Sequence, residues 1–145
     1  MKRWAMLVAT AGLLSSGLST QCPFFPGPPP GESVTIELVN NGDDSVDVDV
    51  YISDNPDISR ADLLQTGEQV QETVDRNQVI QIVRTCDWAQ AVTVSAVLDV
   101  PAGAGPAEDS VVVRQGSNFQ CGGVVTFTFD HNTPQTDLTI SVSVR

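Results

Sequence analysis

From Ser33 onward the chain alternates. Thr35 and Glu37 separate Val34, Ile36 and Leu38, while Asp47, Asp49 and Tyr51 separate Val46, Val48, Val50 and Ile52. A period of two puts each set on one face of an extended segment. Both stretches therefore predict strands with an apolar face turned in and a strongly acidic face turned out. Between them, residues 40–44 (NNGDD) are types that tolerate tight turns, and the whole reads as an antiparallel hairpin.

The pattern breaks at Asp54-Asn55-Pro56-Asp57. Ser59 followed three residues later by Asp62 resembles a capping box, and Gly67 is a stop. One short helical turn is expected there, crossing between sheets. Residues 69–74 form a weak strand and Asp75-Arg76-Asn77 a turn. Residues 78–85 (QVIQIVRT) form a strong strand whose apolar residues fall on both faces, which predicts a central position. A long strand follows over residues 90–100, with Val92, Val94, Ala96, Leu98 and Val100 inward. Residues 101–109 (PAGAGPAED) read as a flexible loop and 110–114 as a short strand. Alternation returns over 124–129 and 138–144.

About eight short strands with no helix long enough for a βαβ crossover predict an all-β domain. It resembles the immunoglobulin-like antiparallel β-sandwich in architecture. The resemblance stops short of the family. There the tryptophan lies on the strand after the first cysteine, whereas Trp88 stands two residues after Cys86. The parity of Cys121 matches Val125, Phe127 and Phe129, and that of Cys86 matches Ile80 and Ile82, so both sulfurs are expected to face the core. Trp88 is expected to pack on a bridge between them.

The start of the chain is of a different kind. Lys2 and Arg3, an apolar run from Trp4 to Leu14 and a small, polar tail to Gln21 are the three parts of a signal peptide. The apolar run is shorter than the roughly 20 residues that a spanning helix needs. Leu18-Ser19-Thr20-Gln21-Cys22 resembles the lipobox of bacterial lipoproteins, in which the cysteine becomes the acylated first residue. The resemblance covers only these positions. Leu18 lies four residues before Cys22, where the usual motif has three, and Gln21 fills a small-residue slot. A cut after Ser19 is the alternative. Residues 23–32 (PFFPGPPPGE) then favour an extended polyproline spacer. Phe24 and Phe25 could pack on the domain or at a membrane surface. The expected organisation is a leader over 1–21, a linker over 22–32 and a β-sandwich over 33–145.

Charge narrows the choice of partner. The 145-residue chain carries a net charge of −11, and losing Lys2 and Arg3 leaves five arginines against 18 acids, or −13. That argues against nucleic acid and against anionic lipid surfaces. Three cysteines in a secreted chain make one pair and one remainder. Cys86–Cys121 is the natural pair, stabilising the fold by roughly 3–4 kcal/mol, with Cys22 left for a lipid anchor.

Candidate chemistry is sparse. The single histidine, His131, sits in the turn segment Asp130-His131-Asn132-Thr133-Pro134, and no nucleophile elbow accompanies it. The acids read as a solvated face rather than a glycosidase pair. Asp54, Asn55, Asp57 and Asp62 offer the hard oxygens that calcium takes, with Asp43 and Asp44 in the preceding turn. Tyr51 and Trp88 are the aromatic pieces from which a carbohydrate platform could be built. The sequence thus predicts a non-enzymatic, extracytoplasmic module, lipid-anchored or secreted, with a structural or protein-contact role. The alternative is a module that binds a carbohydrate or calcium.

Overall fold

The computed structural model describes residues 31–100, 103–131 and 137–145. The leader, Cys22 and the linker through residue 30, with Phe24 and Phe25, lie outside the described residues, as do 101–102 and 132–136. The elements are β1 (Ser33–Asn40), β2 (Val46–Ser53), α1 (Arg60–Thr66), β3 (Glu68–Val74), β4 (Val79–Thr85), β5 (Ala91–Val100), β6 (Gly103–Asp109), β7 (Val113–Arg114), β8 (Val124–His131) and β9 (Leu138–Val144). The domain is an all-β sandwich. One sheet has the order β4-β1-β8-β9 and the other β3-β2-β5-β6, with β7 pairing the remaining length of β5.

Alternation builds the core. Val34, Ile36 and Leu38 of β1, with Val125, Phe127 and Phe129 of β8, are fully buried. They meet Val46, Val48, Val50 and Ile52 of β2 and Val92, Val94, Ala96 and Leu98 of β5 from the facing sheet. The two inner faces interdigitate as aligned sheets do.

Several expectations are corrected. β1 and β2 do not form a hairpin, because β1 pairs with β4 and β8 while β2 pairs with β3 and β5. Asn40 makes the connection an arch between sheets. Fully buried, its side-chain amide donates to the carbonyls of Asp44 (2.7 Å) and Val74 (2.9 Å), and its side-chain oxygen accepts from Gly42 N–H (2.8 Å). Between the named strands pairing is antiparallel except at β1·β8, which run parallel from Thr35↔Val124 to Asn40↔Phe129. β4 is an edge strand, not a central one. Its second apolar row is partly in solvent, with Val79 53% and Val83 43% exposed.

α1 forms where the capping box lies: Ser59 Oγ accepts from Asp62 N–H at 3.1 Å, Leu63 is buried, and Gly67 N–H closes on Leu63 C=O at 3.0 Å. It joins β2 to β3, neighbours in one sheet, and so does not cross between sheets. Within the expected loop over 101–109, residues 103–109 are strand β6. It pairs with β5 through Ser95↔Asp109 to Val100↔Gly103, with a register shift between Val97 and Asp99. An edge position tolerates Pro106, which lacks an N–H to give. Of the expected strand over 110–114, only Val113–Arg114 pairs. Ser110 fills the gap between β6 and β7: its N–H donates to Val94 C=O at 2.9 Å and its hydroxyl accepts from Val94 N–H at 3.0 Å.

Candidate functional site

The two cysteine-bearing segments meet where the described chain begins. Cys86 and Cys121 form a disulfide with a Cα–Cα distance of 5.5 Å. Cys86 is buried as expected, but Cys121 is exposed. Parity does not carry back to Cys121 across Gly122, whose φ of +86° resets the side-chain direction. Around the bridge, Cys86 N–H donates to Glu32 C=O (3.0 Å), Gly122 N–H to Ser33 C=O (2.9 Å) and Thr35 N–H to Gly123 C=O (3.1 Å). The chain's entry into β1 is thus clamped from both sides by the loops that the disulfide ties together.

Trp88 lies on the connection between β4 and β5, 48% exposed. Its indole N–H donates to the Glu68 carboxylate. Arg84 grips the same carboxylate, with Nη2 2.6 Å from Oε1. Arg84 belongs to the edge of one sheet and Glu68 to the edge of the other, so this clasp spans the open side of the sandwich. The Arg84 hydrogen bond, opposed by partial burial and helped by Trp88, lowers the Glu68 carboxyl below its ordinary range.

Tyr51 stands half-buried on the outer face of β2, opposite Gln69 and Thr93. Burial, then the charges of Asp49 and Asp109, raise its phenol above the ordinary value. Glu68, the partner of Trp88, is in register with Ile52 and so lies on the other face of the sheet. The structure therefore does not bring Tyr51 and Trp88 onto one platform. On the outer face, an open groove of about 390 Å³ is lined by Asp47, Asp49, Gln71, Thr73 and Ser95 among others. Its acids accept from neutral neighbours: Gln71 Nε2 gives to Asp49 (2.8 Å) and Thr73 Oγ1 to Asp47 (2.7 Å). Asp109 is held below the ordinary range by Ser95 first and Arg60 second, against partial burial, and Arg60 Nη2 lies 2.6 Å from it.

Of the four candidate calcium residues, Asn55 and Asp62 engage side-chain oxygens within their own turns. Asn55 Oδ1 accepts from Asp57 N–H (2.9 Å), and Asp62 Oδ2 accepts from the Ser59 hydroxyl (2.6 Å). The loop's carbonyls face a cation already: Arg114 donates to Pro56 C=O (2.7 Å) and Ile58 C=O (2.9 Å). Among the described residues, no three His, Cys, Asp or Glu side chains are grouped so as to hold a metal ion. His131 braces the β1–β2 arch. Its Nε2 accepts from Asp44 N–H at 3.2 Å, and its ring fills the space that a Cβ on Gly42 would need.

Sequence reasoning passed over Glu37. It points out from the middle of the four-stranded sheet yet is only 8% exposed. Its carboxylate accepts from the Thr126 hydroxyl (3.0 Å), the Gln81 amide (3.0 Å) and the Arg145 guanidinium (3.0 Å). Desolvation pushes its pKa up, but these donors together outweigh it and the net shift is downward. Alternation alone cannot distinguish this enclosed acid from the solvated acids of β2. The opposite outer face, with Asp47, Asp49 and Asp109, is more acidic than this one.

No family model matches the chain, and no curated protein matches it. Among solved structures it is similar to one described as the crystal structure of the T6SS lipoprotein TssJ1 from Pseudomonas aeruginosa. The TM-score is 0.41 at 13% identity, covering 79% of this chain and 98% of that one. At that TM-score the likeness assigns neither a family nor a function.

Proposed function

We propose that this chain is a non-catalytic extracytoplasmic module, anchored to a membrane through a lipid on Cys22, that acts by protein contact or as a structural element. The observation that carries the reading is the clamp at the chain's entry. A disulfide, suited to an oxidising compartment, ties together the two loops that hold Glu32 and Ser33. Such a fixed point suits a domain held from the direction of Cys22. The charged, apolar and small-residue segments before Cys22 support export, and the leftover third cysteine supports acylation.

Intact mass of the native protein recovered from membranes tests this directly. The expected mass is that of residues 22–145 plus acyl groups, less two hydrogens for the disulfide. A cleaved but unacylated chain would remove the anchor, and a chain that retains its leader would remove the extracytoplasmic reading altogether.

A ligand-binding role is the second reading, favoured by the exposed ring of Trp88. Trp88 is the only tryptophan beyond the leader, so its fluorescence reports on that site alone. Titration with oligosaccharides that leaves its emission unchanged would dismiss a carbohydrate. Calorimetry with calcium that shows neither heat nor a shifted melting temperature would dismiss the ion.

A further inference from the structure

β4 closes one edge of its sheet, and its outer side has no strand partner among the described residues. The phase of its ladder decides which backbone groups are left over. Cys86 N–H donates to Glu32 C=O and Asn40 N–H to Gln78 C=O, so the even-numbered residues of this stretch turn their peptide groups toward β1. Antiparallel alternation then turns the N–H and C=O of Val79, Gln81 and Val83 outward. The Arg84 guanidinium, which donates to Val83 C=O at 3.0 Å, marks that outward direction.

Edge strands in native proteins are usually blunted by charge, proline or a bulge. β3 carries Glu68 and Glu72, β6 carries Pro106 and Asp109, and β9 lies against β6 of the other sheet. β4 carries none of these within residues 79–83, and only the neighbouring Arg84 guanidinium, on Val83 C=O, must swing aside for a strand to pair there. Its sequence there, Val-Ile-Gln-Ile-Val, is uncharged and reads the same in both directions. Val79 and Val83 already stand in solvent.

We propose that β4 is a self-association edge: two copies of this chain pair antiparallel along it, about a two-fold axis through Gln81. The palindrome selects the occupant. About that axis Val79 meets Val83 of the other copy, Ile80 meets Ile82 and Gln81 meets Gln81, so every residue faces its own kind. The phase agrees as well. Odd residues pair with odd residues, and these are the ones with outward peptide groups, forming the hydrogen-bonded pairs of the new ladder. A foreign extended peptide would need only the open edge and would gain nothing from the palindrome. The interface is isologous and therefore closes at two copies. The strong negative charge opposes association of like chains, so added salt favours the dimer. This inference goes beyond the proposed function and does not depend on the anchor.

The test uses the full chain carrying Cys22→Ser. Light scattering on a sizing column is expected to give twice the chain mass, with the dimer strengthened between low and high salt. Val79→Lys/Val83→Lys is expected to return a single-chain mass and, since both side chains are exposed in the single chain, the melting temperature that the parent shows once diluted to single chains. Separately, Gln81→Cys is expected to cross-link on mild oxidation, because Cα atoms of a hydrogen-bonded antiparallel pair lie about 5.5 Å apart, within disulfide range. The cross-link would appear as the tryptic peptide Asn77–Arg84 joined to itself. A single-chain mass at every concentration and salt overturns the proposal. So does a dimer that survives the double lysine variant, or assembly that continues past two copies.

Discussion

Removing the disulfide is the most informative perturbation, because its effect divides into two parts. Cys86 and Cys121 are 35 residues apart. In the chain-entropy description, closing a loop of that length in the unfolded chain contributes about 4 kcal/mol. Cys86 is buried while Cys121 is exposed, so Cys86→Ala/Cys121→Ala adds a packing loss on the order of 1 kcal/mol at one end only. A domain of this size loses roughly 4 °C of melting temperature per kcal/mol. The double variant, in a Cys22→Ser background to prevent thiol exchange, should therefore melt about 15–20 °C below its parent by circular dichroism. Locally, the amides of Gly122 and Thr35, which bond the entry segment and its flanking loop, should exchange faster by more than the global loss accounts for. A stability loss below about 1 kcal/mol would refute the entropic estimate, and uniform exchange across the domain would refute the clamp.

Three further outcomes follow from the packing and charge described above. Phe127→Ala, at a fully buried position between the sheets, should cost about 3–5 kcal/mol in urea unfolding. Glu37→Ala should cost roughly 1.5–3 kcal/mol, because it strands the donors of Thr126 and Gln81; Arg145→Ala, at an exposed partner, should cost less than about 1 kcal/mol, and equal losses would contradict the enclosed-carboxylate reading. Glu37, Glu68 and Asp109 all have lowered pKa values in the folded state. Their contribution is therefore present above the ordinary carboxylate range and lost as pH falls through about 4 and below. Unfolding measured between about pH 6 and pH 3 should show that loss, and Glu68→Gln should flatten it.

Much of the sandwich was legible because burial on one face leaves a period of two. β2, β5, β8 and β9 are readable from that alone, and the Ser59–Asp62 cap marks α1. What alternation does not carry is the identity of the neighbour. It gives the inward face of β1 and β2 but not that the chain changes sheets between them; the buried amide of Asn40, which makes that arch, looks in the sequence like any turn asparagine. A second apolar row in β4 reads as a sign of a second cover, and the structure leaves that row partly in solvent. β6 has no pattern to find, since Gly103, Ala104 and Ala107 pair through backbone contributed by β5 while Gly105 and Pro106 fall at the register shift. Cys121 failed because parity does not survive a glycine of positive φ. At the site level, the pairing of Cys86 with Cys121 was legible from the count of sulfurs. The Glu68 clasp was not, because it joins two strand edges that only the assembled sheets bring together.

The strand that receives the entering chain, β1, is an interior strand, with β4 on one side and β8 on the other. If the domain is moored through Cys22 as proposed, tension entering at Ser33 would be taken up along this strand. The rungs on both flanks would then share the load in shear rather than opening one at a time, as they would at a peripheral strand. The domain is thereby suited to hold its shape while being pulled from the end by which it would be moored.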